Sequence, residues 1–281
     1  MKTRVRWVGW RGPRVPSARL LKRAAKRVVL VAAAVYFLPY LAAAYFLIGL
    51  IDFARNTGKN FASFDRYFFG NGAFTWLLAP VNLFFDLLTF PYRNRKIYAL
   101  TDLPPAYQAE LSAIFDAAHR NDLVGRLREK LGDTKRAMIF FKWYGKNVGT
   151  SVPMPEYHAP MRFVRTIGVS VFNSRQSTGR HYGPLRLTLR VLYNVNDTVS
   201  PDVFIEVGDR VHRWRDGKLF IFDDTLQHQS CNQSDEPRYC LFIDILRPSY
   251  VPRVLDAVLG CVRFGLSRFN RVFYKHWTML K

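Results

Sequence analysis

Cysteine is scarce in this chain of 281 residues: there are three, Cys231, Cys240 and Cys261. An odd count with no CxxC pair excludes a disulfide framework and a zinc ribbon, and it suits a reducing compartment. Acid is also in short supply. Against 42 Lys and Arg stand 21 Asp and Glu, a formal net charge of +21. A surplus of that size calls for an anionic partner, either nucleic acid or the anionic face of a bilayer. The first 27 residues hold no acid at all, while cations recur from Lys2 to Arg27. Residues 28–51 then hold no charge of either sign. A polybasic block abutting such a run is the juxtamembrane pattern, so the expected anionic partner is a bilayer surface and not nucleic acid.

The apolar run 28–51 is long enough for a transmembrane helix, which takes about 20 residues, and Pro39 is tolerated there as a kink. It is too long for a cleaved signal peptide, and no small-residue cleavage site stands out. A second apolar stretch, 67–90, contains Asp86, Pro80 and two glycines. It reads as a second transmembrane segment or a re-entrant one. Two crossings place the remainder of the chain on the side of the basic N-terminus, and Arg93, Arg95 and Lys96 follow at once, as the positive-inside rule requires. The expectation is a basic cytoplasmic N-terminus over 1–27, a membrane region over 28–92 folded as a helical hairpin, and a cytoplasmic remainder.

Residues 93–136 read as a helical lead-in. Asp102 is placed to cap a helix starting near Pro104 and Pro105, and Leu111, Ile114, Phe115, Ala118 and Leu123 recur at core-facing helical spacing. From 137 to 250 the texture changes to short runs rich in Val, Ile, Phe and Thr, such as TIGVSVF, VFIEVG and CLFIDIL, with turns at Gly208-Asp209 and Asp216-Gly217. Many short strands without intervening helices predict a mainly β fold, an antiparallel sandwich or barrel, the jelly roll included. The tail, 251–281, returns to a basic amphipathic helix whose stripe runs from Leu255 through Leu259, Val262, Phe269 and Trp277. That pattern fits a membrane surface or a face packed on the core.

Of the six histidines, His119, His158, His212 and His276 have ordinary surface or packing readings. His181 and His228 differ by context. His181 opens HYGPLRLTLRVLY at the mouth of one predicted strand, and His228 closes IFDDTLQHQSCN after another. Arg238 follows ten residues later, at the start of YCLFIDILRP. Two imidazoles and one guanidinium thus sit at the ends of neighbouring strands in an all-β region.

The blocks HYGPLRLTLR, EVGDRVHRWRDGKLFIFDDTLQH and NQSDEPRYCLFIDILRP, in this order and spacing, resemble the aspartyl/asparaginyl β-hydroxylase family of iron/2-oxoglutarate dioxygenases. FFKWYG at 140–145 and APVNLFFDLL upstream resemble its membrane-bound lipid A 2-hydroxylase branch. The resemblance implies a double-stranded β-helix, a jelly roll, with Fe(II) inside and 2-oxoglutarate and O2 as cosubstrates. It implies that His181 and His228 are the metal ligands and that Arg238 grips the distal carboxylate of 2-oxoglutarate. Arg190 and Ser170 fall where the family has further cosubstrate contacts. Two positions depart from common patterns. Gly183 stands where many such oxygenases carry a carboxylate ligand, and Leu192 stands where the family often has a histidine. Asp223 and Asp224 near His228 are either supporting partners of the ligands or strand-end turn residues.

An enzyme tethered to a bilayer should act on a lipid in it. The expected substrate is a membrane lipid, with lipid A at carbon 2 of an acyl chain first and an ornithine-type aminolipid next. The expected location is a bacterial inner membrane with the catalytic domain facing the cytoplasm, where 2-oxoglutarate is found. Arg175, Arg180 and Arg186, clustered around His181 in sequence, are candidates to meet an anionic headgroup. The alternatives are a β-hydroxylase of protein Asp or Asn side chains and a non-enzymatic membrane scaffold with a relict fold.

Overall fold

The computed structural model describes residues 18–131, 134–266 and 278–280. The chain divides into two compact units, Met1–Leu47 and Ile48–Lys281. The first holds α1 (Ala18–Phe37) and the beginning of α2 (Pro39–Phe53), separated at Leu38. Pro39 has no N–H for the preceding turn, and its ring crowds the carbonyl there, so one helix ends and another begins. Residues 28–51 therefore do not form the single spanning helix expected of them. The first half of α1 is basic, and α2 has 15 residues where a hydrocarbon core takes about 20.

In the second unit, 67–90 is likewise divided, among α3 (Phe61–Phe69), α4 (Ala73–Leu77) and α5 (Ala79–Leu88). Gly70 stops α3 by donating its N–H to Arg66 O, at a point where a Cβ would meet that carbonyl at 2.7 Å. Pro80 then starts α5 afresh in its first turn. Among the described residues no helix is long and apolar enough to cross a membrane, so the expected transmembrane hairpin is corrected to a run of short helices. The basic segment before Ala18 and the tail stripe over 267–277 lie outside the described residues.

The lead-in folds as α6 (Pro105–Arg120) and α7 (Leu123–Leu131), with α8 (Pro155–His158) beyond the first long strand. Asp102 does not cap α6. Its carboxylate accepts the Ala99 N–H at 2.9 Å and pairs with Arg95, which keeps it in the turn before the helix.

The strands are β1 (Ile97–Tyr98), β2 (Arg136–Trp143), β3 (Lys146–Asn147), β4 (Val164–Phe172), β5 (Gln176–Ser177), β6 (Thr188–Asn194), β7 (Val203–Val207), β8 (Arg210–Arg213), β9 (Leu219–Phe222), β10 (His228–Asn232), β11 (Arg238–Leu246) and β12 (Thr278–Met279). An eight-stranded sheet runs β1-β9-β6-β11-β4-β2-β12, with β3 also on β2, and a four-stranded sheet runs β5-β10-β7-β8. Gly208 and Asp209 turn β7 into β8, with Gly208 at a φ of 61° that favours glycine.

The alternation of side chains along a strand sorts the core. In β11, Tyr239, Leu241, Ile243 and Ile245 pack with the apolar faces of α6 and α7 in the main core. Cys240 and Phe242 point the other way and join Leu192, Ile205, Val207, Trp214, Phe220 and Phe222 in a second core between the two sheets. This two-sheet roll is the mainly β fold expected from the sequence. Helix α9 (Pro252–Leu266) packs on its edge through Leu255 and Leu259, against Phe85, Leu187 and Leu246.

Candidate metal and cosubstrate site

His228 opens β10, and His181 bridges it from the other side. His181 N–H donates to His228 O at 3.0 Å and His228 N–H to His181 O at 2.9 Å. Two side chains opposite each other in such a pair share one face of the sheet, and the ring centroids lie 4.1 Å apart. Nδ1 of His181 is 2.8 Å from Gly179 O, and Nδ1 of His228 is 2.8 Å from Leu226 O. A carbonyl can only accept, so both Nδ1 atoms carry the proton and both Nε2 atoms keep a lone pair for a ligand bond. Burial, and next the proximity of His181, hold the His228 imidazole well below its ordinary pKa, in the neutral form that binds metals.

A carboxylate completes the neighbourhood. Asp224 Oδ1 lies 3.3 Å from His228 Nε2 and is buried without a hydrogen-bond partner. Two lone pairs thus face each other in a dry place, an arrangement that a cation between or beside them would relieve. Gly183 makes room for it. A Cβ at 183 would sit 2.2 Å from Asp224 Oδ2, so the missing side chain at that position is the space which the Asp224 carboxylate occupies. Among the described residues no group of three His, Cys, Asp or Glu side chains is set to hold an ion. The donor set is two imidazoles with Asp224 alongside, and it fits a ferrous ion that keeps open positions.

Arg238 and Ser170 meet across the β4–β11 pair. Arg238 begins β11 opposite Phe172 of β4, and its Nη2 donates to Ser170 Oγ at 3.1 Å. The guanidinium lies over the Phe172 ring at 4.4 Å and near the Trp214 ring at 5.9 Å. The residue is 2 % exposed, yet its Nε and Nη1 have no hydrogen-bond partner among the described residues. Burial lowers its pKa, and no carboxylate offsets that cost. A buried cation without an anion is expensive, and an anionic ligand would offset that cost.

Arg190 is placed differently. Its Nε donates to Asp244 Oδ1 at 2.7 Å, its Nη2 to Asp224 Oδ2 at 3.2 Å, and it lies 3.7 Å over the Phe242 ring. With two carboxylate partners, it reaches the histidines through Asp224.

The arginines expected at a headgroup are otherwise engaged. Arg175 Nε pairs with Asp235 at 3.0 Å and Arg180 Nη2 with Glu206 at 2.8 Å. Arg186 is 1 % exposed and pairs with Asp52 and Asp86, within reach of Asp223. That acid-rich burial corrects the expectation of a headgroup contact for Arg186, whereas Arg175 and Arg180 make exposed surface pairs. Asp223 is the centre of this network. Burial would raise its pKa, but Arg55, Arg186 and the Thr225 hydroxyl outweigh burial and hold it well below the ordinary carboxylate range.

The sequence reading missed the helices that hold the His181 segment. Arg66 Nη1 and Asn71 Nδ2 donate to Arg180 O at 2.5 and 3.0 Å, Thr75 Oγ1 to Gly183 O at 2.6 Å, and Asn82 Nδ2 to Pro184 O at 3.1 Å. Their signal was present as polar residues inside an apolar run. Trp214 was read only as part of the WRDG turn, although it forms a wall beside Arg238.

Residues 109–248 match the family described as Aspartyl/Asparaginyl beta-hydroxylase. The chain belongs to this family. It is 26 % identical over 183 residues to an "Ornithine lipid ester-linked acyl 2-hydroxylase" of Rhizobium tropici, covering 60 % of this chain and 62 % of that protein, so the chain spans less than two thirds of that relative's length. Similar solved structures include an oxidoreductase of the 2OG-Fe(II) oxygenase family from Burkholderia pseudomallei, at 14 % identity and a TM-score of 0.26, covering 33 % of this chain and 47 % of that one. A cupin domain from Bordetella pertussis is similar at 19 % identity and a TM-score of 0.24, covering 31 % and 85 %.

Proposed function

We propose that the chain is an Fe(II)- and 2-oxoglutarate-dependent hydroxylase that acts on an acyl chain of a membrane lipid, at carbon 2. The observation that carries this reading is Arg238, a buried guanidinium with two unpartnered nitrogens beside the Ser170 hydroxyl. It has the charge and the forked geometry that a dicarboxylic acid's far end would meet. His181 and His228 would hold the metal through Nε2. Bound iron, with 2-oxoglutarate and O2, supplies the power to insert oxygen into an unactivated C–H bond, the cosubstrate leaving as succinate and carbon dioxide.

The residues of the chain do the positioning. Gly179 O and Leu226 O fix the tautomer and ring orientation of the two histidines. Asp224, held by Arg190, adds negative charge beside His228. Phe220, Phe222, Trp214 and Leu192 keep the space between the sheets apolar, which suits a hydrocarbon substrate and excludes water.

Two observations turn the choice of lipid toward an ornithine-type aminolipid and away from lipid A. The relative's name carries that substrate. The arginines that would have met lipid phosphates already have carboxylate partners. A cytoplasmic-facing location at a bacterial inner membrane belongs to the same proposal, on the basic N-terminal charge and the source of 2-oxoglutarate.

The test is succinate formation from 2-oxoglutarate by purified protein with ferrous iron, with aminolipid, with lipid A and with an Asp-containing peptide, beside a His228→Ala control. Aminolipid-stimulated succinate, absent in the control and matched by one added oxygen in the lipid's mass, is the expected result. Stimulation by the peptide alone would move the substrate to protein side chains. No succinate with any substrate would overturn the enzyme reading.

A further inference from the structure

The helical segment 48–92 is built inside out. Six of its polar side chains are buried: Asp52, Asn56, Ser63, Thr75, Asn82 and Thr89 are each at most 4 % exposed. Six of its large apolar side chains point outward, Phe61, Phe74, Leu77, Phe84, Leu87 and Phe90, each at least half exposed, while Phe53, Phe68 and Phe85 pack inside. Helix α5 shows the inversion within ten residues. Asn82 and Phe85 face the roll, and Asn82 bonds the 184–186 backbone from its side chain, while Val81, Phe84 and Leu87 recur at helical spacing on the far face. A helix facing water shows the opposite order, and large exposed apolar side chains gathered on one layer of helices mark an interaction surface.

We infer that this layer lies flat in the interface of an anionic bilayer, with its outer face in the hydrocarbon, and that it mounts the metal site on its inner face. Charge selects a bilayer as the occupant. Exposed cations flank α3 to α5 in sequence at Lys59 and Arg93, and Arg253 follows shortly after Tyr250, in a chain of net charge +21, which suits anionic headgroups. Tyr92 and Tyr250, with ring centroids 5.4 Å apart, stand at the same edge, where a water–lipid boundary favours tyrosine. Helices of 9, 5 and 10 residues cannot cross, but they can lie in the plane.

The arrangement deepens the proposed function and rests on it for the substrate. The backbone at 180–184, which carries His181, hangs from the inner faces of α3 to α5. A helix is about 10 Å across, so the site stands roughly that far from the acyl region. Carbons near the polar head of a lipid reach it first, and the far end of the chain reaches it only by leaving the bilayer. That is a structural reason for oxidation at carbon 2.

The test uses the full chain in a Cys261→Ser background, since Cys231 and Cys240 are buried. Spin labels are placed at Phe84→Cys and Leu87→Cys, with Val211→Cys on β8 as the aqueous reference. On phosphatidylglycerol/phosphatidylethanolamine vesicles, labels at 84 and 87 should collide more with oxygen than with a water-soluble nickel chelate, and the label at 211 should do the reverse. Phe84→Glu with Leu87→Glu should lose at least tenfold activity on vesicle-embedded lipid. It should keep Fe(II) binding and turnover of a short-chain lipid that is soluble as a monomer. Labels at 84 and 87 that stay accessible to nickel on vesicle-bound protein overturn the inference. So does a dimer in solution that the double variant dissolves, because the face then covers a second copy. Immersed labels with no oxidation of any lipid leave the docking standing and refute the lipid hydroxylase instead.

Discussion

Replacing Arg238 by methionine should make the protein more stable and unable to use 2-oxoglutarate. Methionine keeps the apolar stem but ends short of the guanidinium, so the stem packing stays while the contact over Phe172 and beside Trp214 goes. What disappears is a cation with one hydrogen bond, to Ser170, and two unpartnered buried nitrogens. Unpaired buried polar groups cost about 1–3 kcal/mol by mutational measures. The cation–π attraction, which vanishes with the charge, offsets about 0.5–1 kcal/mol of that. The net gain for the apo protein is about 1–2 kcal/mol, and a Tm rise of roughly 2–8 °C follows at about 2–4 °C per kcal/mol for a domain of this size. Binding moves the other way. Two charge-assisted hydrogen bonds at about 1.5–3 kcal/mol each amount to a loss of at least about a hundredfold in 2-oxoglutarate affinity. Differential scanning fluorimetry of both proteins without ligand, and then with 2-oxoglutarate and a redox-silent metal, separates the two effects. A variant that melts lower than the parent without ligand would refute the reasoning. So would a parent that gains no stability from 2-oxoglutarate, because Arg238 would then be a structural cation whose neighbours satisfy it.

Single His181→Ala and His228→Ala changes should each abolish stoichiometric Co(II) binding, read by the visible absorption of the bound ion. Gly183→Ala should weaken Co(II) binding by about 10–100-fold, the range for disturbed partners of metal ligands, because its Cβ would drive into the Asp224 carboxylate; unchanged binding would mean that Asp224 swings aside freely. Asp223→Asn should lower stability at neutral pH by about 3–5 kcal/mol, because Arg55 and Arg186 lose a buried partner. The sign of its pH dependence follows from a folded pKa held below the unfolded one. The contribution of Asp223 is complete above roughly pH 4 and declines as pH falls from there through the depressed folded value. Urea melts at pH 7 and pH 3 should therefore show a smaller acid loss for the asparagine variant than for the parent.

The site was legible where its chemistry sits in short local blocks. HYGPLR and FDDTLQH each carry a candidate ligand and its strand end together, and β-pairing between 181 and 228 sets the two rings side by side, 4.1 Å apart. Ser170 and Arg238 were legible for the same reason, one at each of two paired strands. The role of Gly183 was not legible, because the atom that fills its space belongs to Asp224, 41 residues away. Arg186 misled for a related reason. A basic residue beside a ligand looks like an anion site, but its partners Asp52 and Asp86 come from helices about a hundred positions or more upstream. The strand runs were readable by alternation, whereas Asp102 illustrates the weakness of a cap assigned from spacing alone: a nearer donor, Ala99 N–H, took its carboxylate.

The membrane segments show what a hydropathy run measures and what it omits. It counts apolar residues but does not record which face they occupy. In 67–90 the count satisfies a transmembrane helix, but Thr75, Asn82 and Asp86 fall on the side that meets the roll, where each finds a partner. A spanning helix in lipid would leave those groups to be satisfied within the hydrocarbon, at several kcal/mol for each one that is not. The roll supplies the partners instead. It offers Gly183 O, Pro184 O and the Arg186 side chain, all from the segment that carries His181. The polar residues that make 67–90 a poor membrane span are therefore the ones that fasten the His181 segment to the helical layer. Removing them to obtain a better span, as in Thr75→Val with Asn82→Leu, would strip the anchors from 183–184 and loosen His181 before it changed any contact with lipid.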